Sequence, residues 1–153
     1  MATDNVAIVR RLSDEIWNRE NYDVIDELVA PNHILHDPLV TQLEGREPYR
    51  QHVLALKSAF PDFQLLVEDA IASGDEVYVR WVARGTHRGD LLGIASTRKR
   101  AVVQGVGIHR FKGGKVIESW NHFDALGLLQ QLGIAPSLEK LARSAAPVVA
   151  RPH

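Results

Sequence analysis

His109 and Asn121 are residue types that together could run a proton transfer. A neutral imidazole, with an ordinary pKa of about 6.5, accepts a proton near neutral pH, and an amide N–H can hold an oxygen on which charge develops. They meet only if the hairpin Lys99–Lys112 and Val116–Asp124, turning at Gly113-Gly114, has the right register. If the loop also takes in Lys115, then Arg110 faces Glu118, Ile108 faces Trp120, Phe111 faces Ile117 and Gly107 faces Asn121. This register sets opposite charges and apolar residues across from one another. A slip of one residue would turn every side chain over. The favoured register puts Gly105, Gly107, His109, Phe111, Ile117, Ser119, Asn121 and Phe123 on an inner face. Arg110, Glu118, Trp120 and His122 fall on the outer one.

Other chemistries have less support. With no cysteine there is no disulfide, thiolate nucleophile or Cys-ligated metal. His33 and His36, with Asp37 beside them, resemble metal ligands in composition, but three-residue spacing on a strand sends side chains to opposite faces, so no metal is expected. Asp124, just before Ala125-Leu126-Gly127, reads as a helix N-cap before it reads as a catalytic carboxylate, and Asp62 reads as a turn residue. Trp17 and Trp81 suit either a core or the wall of a pocket for a planar apolar ligand. Gly105 and Gly107 leave room on the inner face, or mark a bulge.

The elements that must position these residues follow from periodicity. From Asp4, expected as an N-cap, to Asn18, apolar residues recur at helical spacing (Val6, Val9, Leu12, Ile16 and Trp17). A short helix follows through Ile25 and Leu28, ended before Pro31, and Asn32–Pro38 is extended. Residues 46–59 form a third helix with Pro48 in its first turn, broken at Pro61-Asp62. From Phe63 the period becomes two: strands Phe63–Ser73 and Glu76–His87, a loop over Arg88–Arg98, and then the hairpin. Ala125–Leu132 is a last helix closed by Gly133. Residues 1–144 make one domain and 145–153 a flexible tail. Helices followed by long antiparallel strands define an α+β fold.

The 153 residues carry 18 basic and 19 acidic side chains, a balance unlike that of a nucleic-acid binder. Apolar runs are too short for a membrane span, and the N-terminus has no signal-peptide pattern, so a cytoplasmic protein is expected.

Four stretches occur together in order: Trp17-Asn18; His36-Asp37-Pro38; Arg84-Gly85-Thr86-His87-Arg88-Gly89; and Gly114-Lys115-Val116-Ile117-Glu118-Ser119-Trp120 leading into Asp124–Gly133. Over residues 5–133 the chain resembles the SnoaL-like polyketide cyclases of the nuclear transport factor two-like superfamily. The resemblance implies a cone-shaped barrel, a strongly curved antiparallel sheet wrapped around the N-terminal helices, with an apolar pocket. It also implies closure of an aromatic polyketide ring by intramolecular aldol condensation without a cofactor. By the same match the acid/base Asp of the best-understood members falls at Asn121 and their nearby His at Gly107, so this chain departs from the pattern at both places. His109 could supply an imidazole to the same cavity. His87 matches a family His, either in the site or fixing the 88–98 loop, and His36 approximately matches a pocket-lining position.

The expected site is therefore His109, Asn121 and His87 as candidate catalytic groups, with His36, Trp17, Trp81, Phe111 and Phe123 contacting the substrate. The expected function is a cofactor-independent cyclase, isomerase or dehydratase acting on an apolar carbonyl compound. A binding protein that kept the pocket is the alternative, and an interaction module using the outer sheet face is a third. Trp120, Ile108 and Val106 on that outer face, rimmed by Arg110 and Glu118, point to a homodimer.

Overall fold

The computed structural model describes residues 2–149. In chain order the elements are α1 (Ala2–Trp17), α2 (Val24–Leu28), β1 (Val29–Asp37), β2 (Thr41–Glu44), α3 (Arg46–Ala59), β3 (Gln64–Ser73), β4 (Glu76–Thr86), β5 (Arg100–Lys112), β6 (Lys115–Phe123), α4 (Ala125–Gln131) and α5 (Leu138–Val149). No helix among the described residues is long and apolar enough to cross a membrane.

Each helix is placed by its apolar stripe and by side chains that bond to a neighbouring backbone. In α1, Val9, Leu12 and Ile16 are buried against the sheet. The amide of Asn18, just past the helix, donates to Leu65 O at 2.8 Å and accepts from Leu65 N at 2.9 Å, tying the end of α1 to β3 as a strand residue would. Helix α1 is already formed at Ala2, so Asp4 sits in its first turn and is not its N-cap. Gln131 repeats the two-bond arrangement at the other end, bonding both backbone groups of Val102 at 2.8 and 2.9 Å and docking α4 on β5. Asp124 does cap α4, accepting from Gly127 N at 2.8 Å. Helix α5 was not anticipated. The chain is helical from Leu138 to Val149, across the start of the segment expected as a tail, and residues 150–153 lie outside the described residues.

The sheet order is β2-β1-β6-β5-β4-β3. Four of the five pairings are antiparallel, but β1 runs parallel to β6, so the sheet is mixed where an all-antiparallel one was expected. Period-two patterning specifies which side chains share a face, not which way a distant strand docks on an edge. The sheet is curved around the helices and stays open, with β2 and β3 as its two edges.

Both conceivable registers of the last hairpin occur in it. Gly113 (φ 60°) and Gly114 (φ 77°) form a two-residue turn of the left-handed kind that glycine accommodates, pairing Lys112 with Lys115 and Phe111 with Val116. A bulge then shifts the ladder, and from Arg110↔Glu118 through Ile108↔Trp120 and Gly107↔Asn121 the expected register holds. Ile117 is the extra residue. The expected Phe111–Ile117 pair is thus replaced by Phe111–Val116, both fully in the core.

Candidate functional site

An apolar cavity lies between α1, α3 and the concave face of the sheet. Its volume is about 130 Å³; one water needs roughly 10–15 Å³, so an organic ligand has room. Two aromatic pairs form much of the wall: Trp17 with Phe63, ring centroids 4.7 Å apart, and Trp81 with Phe123 at 5.9 Å. Gly105 does not enlarge the space, since a Cβ there would lie 2.3 Å from Trp81 Cζ2; the indole fills the place a side chain would take.

Few polar groups reach this cavity, and two of them come from the hairpin. His109 and Asn121 lie on the same face and both line it, as the register requires. A Cβ at Gly107 would stand 3.1 Å from Asn121 Oδ1 and 3.4 Å from His109 Nε2. The imidazole from position 109 therefore reaches into the space above Gly107. Its Nδ1 is 2.9 Å from Ser119 Oγ, and Ser119 Oγ is in turn 2.9 Å from His33 Nε2. Burial pushes the His109 pKa down to about 4. His33, at 1% exposure, is also lowered to about 4, by burial first and then by the neighbouring His109 and His36. Both rings are neutral at pH 7.

The third polar element comes from β1. Asp37 lines the cavity, accepts a bond from Leu39 N at 2.9 Å on Oδ1 and a longer one from Asn121 Nδ2 at 3.4 Å on Oδ2. A carboxylate only accepts, so it draws the NH₂ end of the amide and leaves Asn121 Oδ1 facing Gly107. The NH₂ carries two protons, so this bond occupies one of them. Tyr49 and His52 from α3, Ser13 from α1 and Arg84 from β4 are the other polar residues that line it. Burial raises the Tyr49 pKa and lowers that of His52, the latter opposed in part by Asp37.

Three expected site residues lie elsewhere. His87 is fully buried but does not line the cavity. It packs behind Phe60, with ring centroids 5.5 Å apart, while its Nδ1 accepts from Thr97 N at 3.2 Å, fixing the loop before β5. His36 is on the outer face, where its Nε2 is 2.8 Å from Glu118 Oε2 and its ring stacks on Trp120 at 5.3 Å. His33 and His36 thus point to opposite faces of β1. Phe111 belongs to the core around Val53, Val77 and Val116 and does not reach the cavity. Trp17, Trp81 and Phe123 line it as expected.

Asp37, Tyr49, His52 and the His33–Ser119 pair were not among the expected site residues; from the sequence, His33 and Asp37 come into question only as metal ligands. For Asp37 a signal existed: with His36 outward, the period of two puts His33, Leu35 and Asp37 inward together. Nothing comparable marked His52, which shares a helix with the apolar stripe of α3.

The sequence and the fold match a known class. Residues 7–132 match the model of the SnoaL-like polyketide cyclases, and the chain belongs to that family. The aklanonic acid methyl ester cyclase of Streptomyces galilaeus is 28% identical over 133 residues, covering 86% of this chain and 92% of the relative. The corresponding cyclase of Streptomyces peucetius is also 28% identical, covering 84% and 90%. Among solved structures, a provisionally assigned SnoaL-like polyketide cyclase from Jannaschia sp. CCS1 is similar with a TM-score of 0.81 at 28% identity, covering 88% of this chain and 95% of that one. IdmH of Streptomyces antibioticus, likewise provisionally assigned as a polyketide cyclase, has a TM-score of 0.73 at 27% identity, with coverage of 84% and 98%.

Proposed function

We propose that this protein is a cofactor-independent enzyme that moves a proton on an apolar carbonyl compound, in an aldol cyclisation or a related isomerisation or dehydration. One observation carries the reading: a carboxylate, Asp37, and a neutral imidazole, His109, face one apolar cavity with the Asn121 amide between them. Proton removal from carbon beside a carbonyl leaves an enolate, whose oxygen needs a donor and whose carbon attacks a second carbonyl to close a ring. The alkoxide so formed takes a proton, so the cyclisation needs no oxidant or reductant. A carboxylate in apolar surroundings suits proton removal, and an imidazole or amide donor suits the oxygen. Aromatic walls at Trp17, Trp81 and Phe123 suit a planar substrate.

The relatives' substrate supplies the test. Aklanonic acid methyl ester, incubated with the protein in D₂O, is expected to cyclise or to exchange a proton beside its ester carbonyl, and Asp37→Asn and His109→Gln are expected to lose both activities. The second reading is a small-molecule binder, favoured by the loss of the acid/base carboxylate at position 121. Saturable binding of the ester, with neither cyclisation nor exchange, would establish it.

A further inference from the structure

Resting on the acid–base reading above, we infer that His33 and Ser119 are positioning residues that hold the His109 proton on Nε2, so that His109 offers the cavity an N–H donor and not a lone pair. The argument is a count of protons in a closed chain. Ser119 is 4% exposed and its Oγ contacts two imidazole nitrogens, His33 Nε2 and His109 Nδ1, each at 2.9 Å. A hydroxyl has one proton, so it donates to one of these nitrogens and accepts from the other.

Two neutral rings allow four arrangements, and one fails at once. With both facing nitrogens bare, the hydroxyl donates to one, the other contact sets lone pair against lone pair, and His33 carries its proton on Nδ1. Three remain. If both rings donate to Ser119 Oγ, the hydroxyl proton has no acceptor among the described residues, and a buried donor is stranded. If Ser119 donates to His33 Nε2, His33 must carry its own proton on Nδ1, a buried atom with no hydrogen-bond partner among the described residues. That strands a donor too. In the third, His33 Nε2–H donates to Ser119 Oγ, Ser119 O–H donates to His109 Nδ1, and His33 Nδ1 is a bare lone pair. Orphaned buried N–H groups are rarer than under-satisfied acceptors, so the third arrangement is selected. It leaves the remaining His109 proton on Nε2, the atom beside Gly107 and Asn121 Oδ1.

The consequence is a division of labour. A His109 that donates from Nε2 holds the carbonyl or enolate oxygen of a ligand, and proton removal falls to Asp37. A His109 with a bare Nε2 would have been the base.

The test is ¹⁵N-histidine NMR of the full chain at pH 7.5 without substrate. The expected spectrum has the directly bonded proton on Nε2 of both His33 and His109, with His109 Nδ1 resonating as an unprotonated nitrogen that accepts a hydrogen bond. In Ser119→Ala the His109 Nδ1 signal is expected to move to the position of a nitrogen without that bond, and Ser119→Thr, which keeps the hydroxyl, is expected to restore it. A proton on Nδ1 of either ring in the wild-type protein overturns the inference, as does a His109 Nδ1 signal indifferent to Ser119→Ala. Should the alanine variant not fold, the wild-type spectrum alone decides the direction of the chain. The readout needs no turnover, so a protein that only binds its ligand would give the same spectrum, and the two readings fail separately.

Discussion

The amide nitrogen of Asn121 points at Asp37 Oδ2 across 3.4 Å, from neighbouring strands that run parallel. An aspartate at position 121 would therefore meet a carboxylate, not an empty wall. Two carboxylates at that range do not both ionise readily in apolar surroundings, and one pKa is raised. Asn121→Asp is expected to bind one extra proton near neutral pH and to lose stability as pH rises through that titration. Proton release on unfolding, or ¹³C NMR of the aspartate carboxyls, measures it.

His109 and His33 make stability depend on acid. Their pKa values fall from 6.5 unfolded to about 4 folded, so the unfolded chain binds more protons between those limits. Stability is then full above about pH 6.5 and declines as pH drops towards 4. The loss is on the order of 3 kcal/mol for one imidazole at the lower limit. Urea denaturation midpoints from pH 8 to pH 4 test this, and His109→Phe should flatten the decline.

A pH profile of activity should show no rise between 6 and 7 attributable to His109, contrary to the behaviour of an imidazole in water. With its pKa pushed to about 4 by burial, the ring is already neutral at pH 6. A kcat limb at pH 6–7 that coincides with a titration of the His109 ring followed by ¹⁵N NMR would contradict the burial described here.

Gly105→Ala would place a methyl group 2.3 Å from the Trp81 indole. The ring must swing away, at a cost of about 1–3 kcal/mol for an overpacked wall. Near-UV circular dichroism should report the tryptophan movement, and affinity for a planar ligand should fall. His36→Ala, on the outer face, should leave affinity unchanged and cost about 1 kcal/mol, the usual net worth of one hydrogen bond.

The outer sheet face is expected to pair two copies of the chain. Val106 and Tyr78 are 49% and 44% exposed there, while Trp120 is partly covered by His36 and by Arg110, whose guanidinium lies 5.1 Å from the ring centroid. Sedimentation equilibrium at micromolar concentration should give a dimer, and Val106→Glu a monomer.

Local patterns were enough to derive most of the fold. The stripe Val9, Leu12 and Ile16 marked α1, the alternation around Val77 and Val79 marked β4, and Asp124 before Ala125 marked a cap, because each depends on spacing within one turn or one strand. The same periodicity put His109 and Asn121 on one face, since charge pairing between Arg110 and Glu118 selects a register. It could not reveal the bulge at Ile117, which reconciles a two-residue turn with that register at a single point. Nor could it bring β1 alongside β6. That parallel contact joins residues more than eighty positions apart, and it alone sets Asp37 against Asn121 and His33 against Ser119. The residues that turn a histidine and an asparagine into a polar network were all present in the sequence, but their meeting is a long-range event that no local spacing encodes.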